Sequence, residues 1–203
     1  MTEHEHQPQT PAQPEHEASR ESPRELHPRV WIGSLADYNN GTLTGEWVDA
    51  AVDGAELSAA ARAIVANSEQ PDAEEWAIFD HDEFGSWTPG ESEDLHIVAR
   101  VARGIAEHGA AFAAWAELHD ADEAMLDSFS DAYLGAYDSA EAWAETVMDD
   151  LGVQTQIEEA LPGDIARYVR LDSGAWAQDA WLSGDVAIVH RPGGGVWIFD
   201  SRL

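Results

Sequence analysis

Lysine and cysteine are both absent from this sequence of 203 residues. All ten basic residues are arginines, and they stand against 40 acidic residues, which gives a formal net charge of −30. Proteins that bind nucleic acid need cations to displace the counterions of phosphates, and an anionic membrane surface repels a chain of this sign. We therefore expect no direct binding of nucleic acid or membrane. The natural counterpart is cationic: a basic protein surface or metal ions.

The lack of cysteine excludes disulfides, thiolate catalysis and cysteine-based zinc sites. The N-terminus has no apolar core of a signal peptide, and no apolar run approaches the length that spans a membrane. The expected location is therefore the cytoplasm.

Disorder is the usual state of strongly acidic chains, but this chain has the side chains for a core. Nine tryptophans, five phenylalanines, four tyrosines and 44% hydrophobic residues predict a folded protein. Residues 1–28 differ, because they hold five of the nine prolines, four of the nine histidines and almost no large apolar side chain. We expect them to form a disordered tail.

Hydrophobic periodicity predicts an α+β fold. Strands are predicted at 30–35, 45–51, 75–80, 186–190 and 196–199. Helices are predicted at 55–68, from an N-cap at Ser92 onward, and at 110–118, 121–129, 138–151, 165–171 and 175–182. The expected domains are an N-terminal α/β domain (29–90), a helical domain (91–130) and a C-terminal α/β domain (131–203).

The middle of the chain concentrates the negative charge. From Gly104 to Ala166, 63 residues include 15 acidic residues and no lysine or arginine. Two sets of three acids recur there at intervals of four residues: Glu123, Asp127 and Asp131, and Glu141, Glu145 and Asp149. On a helix each set forms a row along one face, with carboxylates about 6 Å apart along the axis.

Each like-charge pair in such a row costs a helix a few tenths of a kcal/mol. A DNA duplex places its phosphates about 3.4 Å apart along each strand, and rows on neighbouring helices approach that charge density. The hypothesis is that this surface imitates a phosphate backbone and pairs with the Arg and Lys of a DNA-binding groove. The carboxylates expected to form it are Asp120, Asp122, Glu123, Asp127, Asp131, Asp138, Glu141, Glu145, Asp149 and Asp150.

Adaptation to high salt is one structural alternative. It predicts acidity over the whole surface, whereas residues 161–203 carry a net charge of only −1. An acidic module that binds some other basic partner is a functional alternative, and it stays open.

A metal site is the third alternative. Asp80, Asp82, Gly85 and Glu91 match positions 1, 3, 6 and 12 of an EF-hand loop, but a strand precedes them where an EF-hand needs a helix. His81 and its acidic neighbours could serve a metal-dependent enzyme. Catalysis needs convergent groups from elsewhere in the fold, and no second His or Cys stands at ligand spacing, so a polar strand end is preferred.

Two segments of the chain resemble ArdA-type antirestriction proteins. The segment 28–50 (PRVWIGSLADYNNGTLTGEWVDA) is similar to the opening of that family, and 126–139 (LDSFSDAYLGAYDS) is similar to its antirestriction motif. EWAIFD at 75–80 fits between them, and the similarity spans 29–203. The motif covers Phe129, Asp131, Tyr133, Leu134, Gly135, Tyr137 and Asp138. Ala136 departs from it, since an acidic residue is common there in the family.

The resemblance implies an elongated protein of about three small lobes that forms a homodimer. It implies an antirestriction protein that mimics DNA and occupies the DNA groove of type I restriction–modification enzymes, chiefly the methyltransferase core. It further implies that the protein is not an enzyme and needs no cofactor. The aromatic residues of the motif are expected to serve packing or the dimer contact.

Overall fold

A computed structural model describes residues 25–203. Most of the predicted tail, residues 1–24, lies outside the described residues. The packed region starts at Leu26, which lies against the core, and Pro28 is fully buried. The backbone carbonyl of Pro28 accepts a hydrogen bond from the amide of Ala50 at 2.9 Å, so the chain is fixed to the fold before its first strand.

The architecture is α+β, as predicted, with two antiparallel three-stranded sheets. The strands are β1 (Arg29–Ser34), β2 (Gly45–Asp49), β3 (Trp76–Asp82), β4 (Tyr133–Tyr137), β5 (Val186–His190) and β6 (Val196–Asp200). The helices are α1 (Leu35–Asn39), α2 (Gly54–Ala66), α3 (Leu95–His108), α4 (Ala110–Leu118), α5 (Glu123–Ala132), α6 (Ala140–Asp150), α7 (Val153–Ala160), α8 (Gly163–Ala166) and α9 (Ser173–Leu182). Within residues 25–203, no helix is long and apolar enough to cross a membrane.

The first sheet has the order β2-β1-β3, so β1 is paired on both edges. Val30 and Ile32 point to one face of the strand, and Trp31 points to the other face, where it is only partly buried. Val30 and Ile32 are completely buried. Gly45 is required for close packing, since a Cβ there would lie 2.4 Å from the carbonyl oxygen of Ile32 and 2.4 Å from the Trp31 ring.

The turn between α1 and β2 surrounds a buried carboxylate. Asp37 is completely buried, and none of its carboxylate oxygens makes a hydrogen bond of good geometry. Burial opposes the charge of Asp37, but the side chains of Ser68, Thr44 and Ser34 lie close enough to outweigh it and lower the pKa. The hydroxyl of Ser34 donates to that of Ser68 at 3.4 Å, which links the start of α1 to the residues that follow α2.

Helices α2 and α3 begin at aspartate N-caps. Asp53 accepts a hydrogen bond from the amide of Ala55 at 2.8 Å, and Asp94 accepts one from the amide of His96 at 2.8 Å. The predicted N-cap at Ser92 is therefore wrong by two residues, because Asp94 takes that position. Both caps satisfy amides that the first helical turn leaves unpaired.

The first core joins the first sheet to α2, α3, α4 and α5 and extends to Trp197 and Phe199 of β6. Gly109, at φ 72°, ends α3 and redirects the chain into α4. The indole nitrogen of Trp115 donates to the carbonyl of Met125 at 2.6 Å, which fastens α4 to α5. This core holds side chains from both sides of residue 90. The domain boundary expected at that residue stays a prediction.

The second sheet has the order β4-β6-β5 and separates two cores. Alternate side chains of a strand point to opposite faces. Trp197 and Phe199 of β6 belong to the first core, whereas Val196 and Ile198 belong to a second, smaller core with α6 and α9. Sheet β4-β6-β5 is therefore a shared middle layer.

Three further predictions need correction. The helix expected at 165–171 is confined to α8, which ends at Ala166. Strand β4 lies in a segment for which no strand was predicted. The helix expected to begin at Asp138 begins at Ala140, because Ser139 caps it by accepting a hydrogen bond from the amide of Ala142 at 3.1 Å. A serine hydroxyl one residue nearer the helix is the better-placed acceptor.

Candidate functional site

The first carboxylate row lies on α5. Leu126, Phe129 and Ala132 face the first core and are buried. The opposite face carries Glu123, Asp127 and Asp131, all exposed, as the i, i+4, i+8 pattern predicts. The sequence therefore placed this row correctly on one face of a helix.

A strained turn leads into α5. Asp120 and Ala121 have φ values of 49° and 53°, in the left-handed region. Aspartate tolerates this region better than alanine, for which it costs of order 1 kcal/mol. Asp122 then caps the helix, accepting hydrogen bonds from the amides of Ala124 at 3.0 Å and Met125 at 3.1 Å. Of these two predicted acids, Asp122 therefore also has a structural role.

His119 lies beside this turn, with its ring 4.1 Å from that of Trp115. Burial lowers the pKa of His119, and the nearby charges of Asp122 and Asp120 offset that effect only in part.

A cation from another helix reaches the α5 row. Arg100 of α3 donates a hydrogen bond from Nη2 to Oδ1 of Asp127, and its Nη1 lies 3.7 Å from Oε2 of Glu123. The expectation of a row without counter-charge is therefore wrong for α5. No lysine or arginine lies near the row in sequence. Arg100 is 27 residues from Asp127, and the packing of α3 against α5 brings the two together.

The second row lies on α6. Trp143 and Ala144 are buried in the second core, and the outer face carries four exposed acids: Glu141, Glu145, Asp149 and Asp150. Within the described part of the chain, none of these four carboxylates forms an ion pair. Asp138 is also exposed, in the turn before the helix. The α6 row therefore has no ion-pair partner among the residues that the structure describes.

Glu141 differs from the other acids of α6 by its position. Its carboxyl carbon lies beside the first turn of α9, 3.8 Å from where a Cβ on Gly174 would be. A helix N-terminus carries a partial positive charge that stabilises a nearby carboxylate. Glu141 therefore contributes to the packing of α6 on α9, where Trp143 and Trp176 have ring centroids 5.1 Å apart.

The antirestriction motif runs through the end of α5 and all of β4. Tyr133 stacks on Phe129 at 5.2 Å, and both contact Phe199 of the central strand. Tyr137 lies against the second core, and its hydroxyl donates to the carbonyl of Leu134 at 3.1 Å. The motif aromatics thus serve packing.

One residue of the motif bends the chain, and three others face outward. Gly135 has φ 128°, and a Cβ there would lie 3.1 Å from the Tyr137 ring, so the position needs glycine. Leu134, Asp131 and Asp138 are exposed.

The two rows lie on opposite sides of the second sheet. Helix α5 packs with Phe199 on one face, and α6 packs with Ile198 on the other. With roughly 10 Å for each packed layer, the two helix axes are on the order of 20 Å apart. The carboxylates form two rows joined by β4 and not one ridge.

The acids around His81 have other roles. Asp82 binds Arg29 at 2.8 Å, and Asp80 accepts from the amide of His81 at 2.8 Å. Glu83 accepts from the amide of His27 at 2.6 Å. Across residues 25–203, no group of three or more His, Asp or Glu is placed to hold a metal ion. The strand before Asp80 is β3, so the EF-hand geometry does not occur.

The glycine run at 193–195 lies in the hairpin turn between β5 and β6. Strands β5 and β6 pair antiparallel, and the amide of Arg191 donates to the carbonyl of Gly195 at 3.0 Å across the turn.

Fold and surface together define an acidic α+β protein whose most distinctive surface feature is two outward rows of carboxylates. The family model described as "Antirestriction protein (ArdA)" matches residues 30–192, and the chain belongs to this family. The match confirms the resemblance found in the two sequence segments. The family is one of antirestriction proteins, which are inhibitors and not enzymes. No curated protein matches the chain.

Proposed function

We propose that this protein is a DNA mimic that occupies the DNA-binding groove of type I restriction–modification enzymes, with the methyltransferase core as its site of contact. Membership of the antirestriction family supports inhibition of such systems. The observation that carries the proposal is the pair of exposed carboxylate rows on α5 and α6. The function places the protein in the cytoplasm with its target, and it involves no cofactor.

The charge arrangement suits a groove that normally holds a duplex. Carboxylates four residues apart on a helix are about 6 Å apart along the axis, and two rows on opposite faces of a sheet offer two lines of charge. Arg and Lys in a DNA-binding groove are spaced to meet two phosphate strands. The shared β4 and the packed motif aromatics hold the two lines in a fixed relation.

Affinity should come from many weak pairs. An exposed ion pair contributes about 0.2–1 kcal/mol, so ten carboxylates can supply strong binding while any single one supplies little. Binding should weaken as salt rises, by the screening that also weakens protein–DNA complexes.

We also propose that the protein acts as a homodimer through its C-terminal part. The helices α7, α8 and α9 and the loops between them expose large apolar side chains: Leu161, Ile165, Tyr168, Leu171, Trp176, Trp181 and Leu182. Two copies with net charge −30 repel one another, but residues 161–203 carry a net charge of only −1. Contact through this part therefore combines apolar burial with the least repulsion.

The central test is a competition assay. A type I methyltransferase core holding fluorescent duplex DNA is titrated with the full chain, and release of DNA is followed by anisotropy. We expect stoichiometric release that weakens with salt. Binding to the core without DNA release would identify an acidic interaction module instead, and no binding would contradict the proposal.

The matched variants separate placement from total charge. One variant replaces six row carboxylates by amides: Glu123, Asp127, Asp131, Glu145, Asp149 and Asp150. The control replaces six exposed acids of the N-terminal part: Glu46, Glu56, Glu69, Asp72, Glu74 and Glu75. Each of the two variants carries six fewer negative charges than wild type. We expect the first variant to lose DNA release while it stays folded by circular dichroism, and the control to retain most of it.

A further inference from the structure

Arg100 occupies an unusual position in this molecule. Among the described residues it is the one cation that pairs with any of the ten predicted carboxylates. Its guanidinium contacts both Asp127 and Glu123, successive members of the α5 row. The side chain of Arg100 is 27% exposed, whereas those of Glu123 and Asp127 are 69% and 76% exposed.

The position of Arg100 is set by α3 and not by the acids. Its neighbours Val98, Ala99, Val101 and Ala102 are completely buried, so the backbone at Arg100 cannot move away from α5. A fixed stem keeps the guanidinium next to the row and reduces the entropy lost in each pair. A surface arginine on a mobile segment would not have this effect.

We propose that Arg100 is an internal competitor for the α5 carboxylates and sets how strongly this surface binds a cationic partner. This inference rests on the proposed function. An arginine or lysine of the partner that approaches Asp127 or Glu123 must displace Arg100 or share its acceptor, and it meets two carboxylates that already share one positive charge. Arg100 thereby weakens the α5 row relative to the α6 row, which no cation of residues 25–203 contacts in an ion pair.

A purely structural role makes the opposite prediction. If Arg100 served only to hold α5 against α3, its loss would loosen the row and weaken binding. If it competes, its loss frees two carboxylates and strengthens binding. The sign of the change in affinity therefore separates the two roles.

Arg103 provides a matched control. It lies on the same helix three residues further on. Its guanidinium donates to the backbone carbonyl of Val52 and, within the described part of the chain, forms no ion pair with a carboxylate. Arg100→Gln and Arg103→Gln remove the same charge from the same helix. Only the first change frees an acid of the row.

The experiment measures three chains in two assays. Wild type, Arg100→Gln and Arg103→Gln are titrated into the methyltransferase core holding labelled DNA, and separately against a fluorescent hexa-arginine peptide, both at low and moderate salt. We expect Arg100→Gln to bind about two- to fivefold tighter than Arg103→Gln in both assays, the range that one exposed ion pair supports. Its affinity should also fall more steeply with salt.

A double-mutant cycle tests whether the effect of Arg100→Gln depends on the two acids that Arg100 contacts. In the background Glu123→Gln/Asp127→Asn, the change Arg100→Gln should have no larger effect than Arg103→Gln, because the contested acceptors are gone. Thermal melting of every variant shows whether α5 stays packed.

The outcomes are distinct. Equal or weaker binding of Arg100→Gln relative to Arg103→Gln, with unchanged melting, overturns the inference. So does an Arg100 effect that persists in the double-amide background. If wild type releases no DNA from the core, the proposed function fails, and the hexa-arginine titration still decides whether Arg100 competes for the row.

Discussion

The two carboxylate rows have the same spacing in sequence and different surroundings in the structure. On α5, Arg100 neutralises part of the row and Asp122 serves as the N-cap. On α6, a serine caps the helix and no arginine among the described residues reaches the acids. The comparison teaches that an acid pattern fixes where charge lies on a helix, whereas tertiary contacts decide how much of that charge a partner can use.

The largest expected effect comes from removing the aromatic anchor beneath each row. Phe129→Ala and Trp143→Ala delete side chains that are 3% and 4% exposed, and each should cost about 3–5 kcal/mol. Phe129 lies in the larger core, so its loss should lower the global unfolding midpoint in denaturant. Trp143→Ala should first raise amide exchange in α6 and α9. Indistinguishable exchange maps for the two variants would mean that the two cores unfold as one unit.

The next effect sharpens the comparison of charge. Glu145→Gln/Asp149→Asn/Asp150→Asn should weaken DNA release about tenfold, whereas Glu123→Gln/Asp127→Asn/Asp131→Asn should weaken it about two- to threefold, because Arg100 already holds two of its acids. Competition titration measures both. The α6 triple should also melt slightly higher than wild type, since like-charge pairs along a helix cost a few tenths of a kcal/mol each. A larger loss of DNA release in the α5 triple variant would contradict the expectation that the α6 row contributes more to binding.

The caps give a smaller, structural contrast. Asp122→Ala removes an acceptor of two amide hydrogen bonds together with a favourable charge at a helix N-terminus, and should cost about 1–2 kcal/mol. Ser139→Ala removes an acceptor of one and should cost about 1 kcal/mol. Urea unfolding measures both, with Ser130→Ala on the exposed face of α5 as the control.

The smallest effect is a pH dependence on the α5 side. The pKa of His119 is lowered in the folded protein, so the unfolded chain binds its proton more readily. Stability from this group is therefore present above about pH 6.5, the ordinary value, and is lost as the pH falls below it. When the melting temperature is measured from pH 7.5 to 5.5, it should fall less steeply with falling pH in His119→Gln than in wild type. A slope identical to wild type would show that other groups carry it.

The sequence predicted much of the fold, because periodicity reports which faces of a segment are buried. Helix α4 and strand β5 both have the predicted bounds. Strand β4 was missed because Gly135 and Ala136 weaken its pattern, and it exists through pairing with β6, about 60 residues away. Local propensity contains no information on such a partner.

Four properties follow from the amino-acid sequence alone: the chain folds, it is highly acidic, its acids stand in helical rows, and two of its segments resemble ArdA proteins. These properties depend on composition and on intervals of three or four residues. Two further properties are visible in the tertiary structure alone: the rows lie on opposite faces of one sheet, and Arg100 contacts the α5 row. Both depend on contacts between residues far apart in the chain, which form only when the core brings α3, α5 and β6 together.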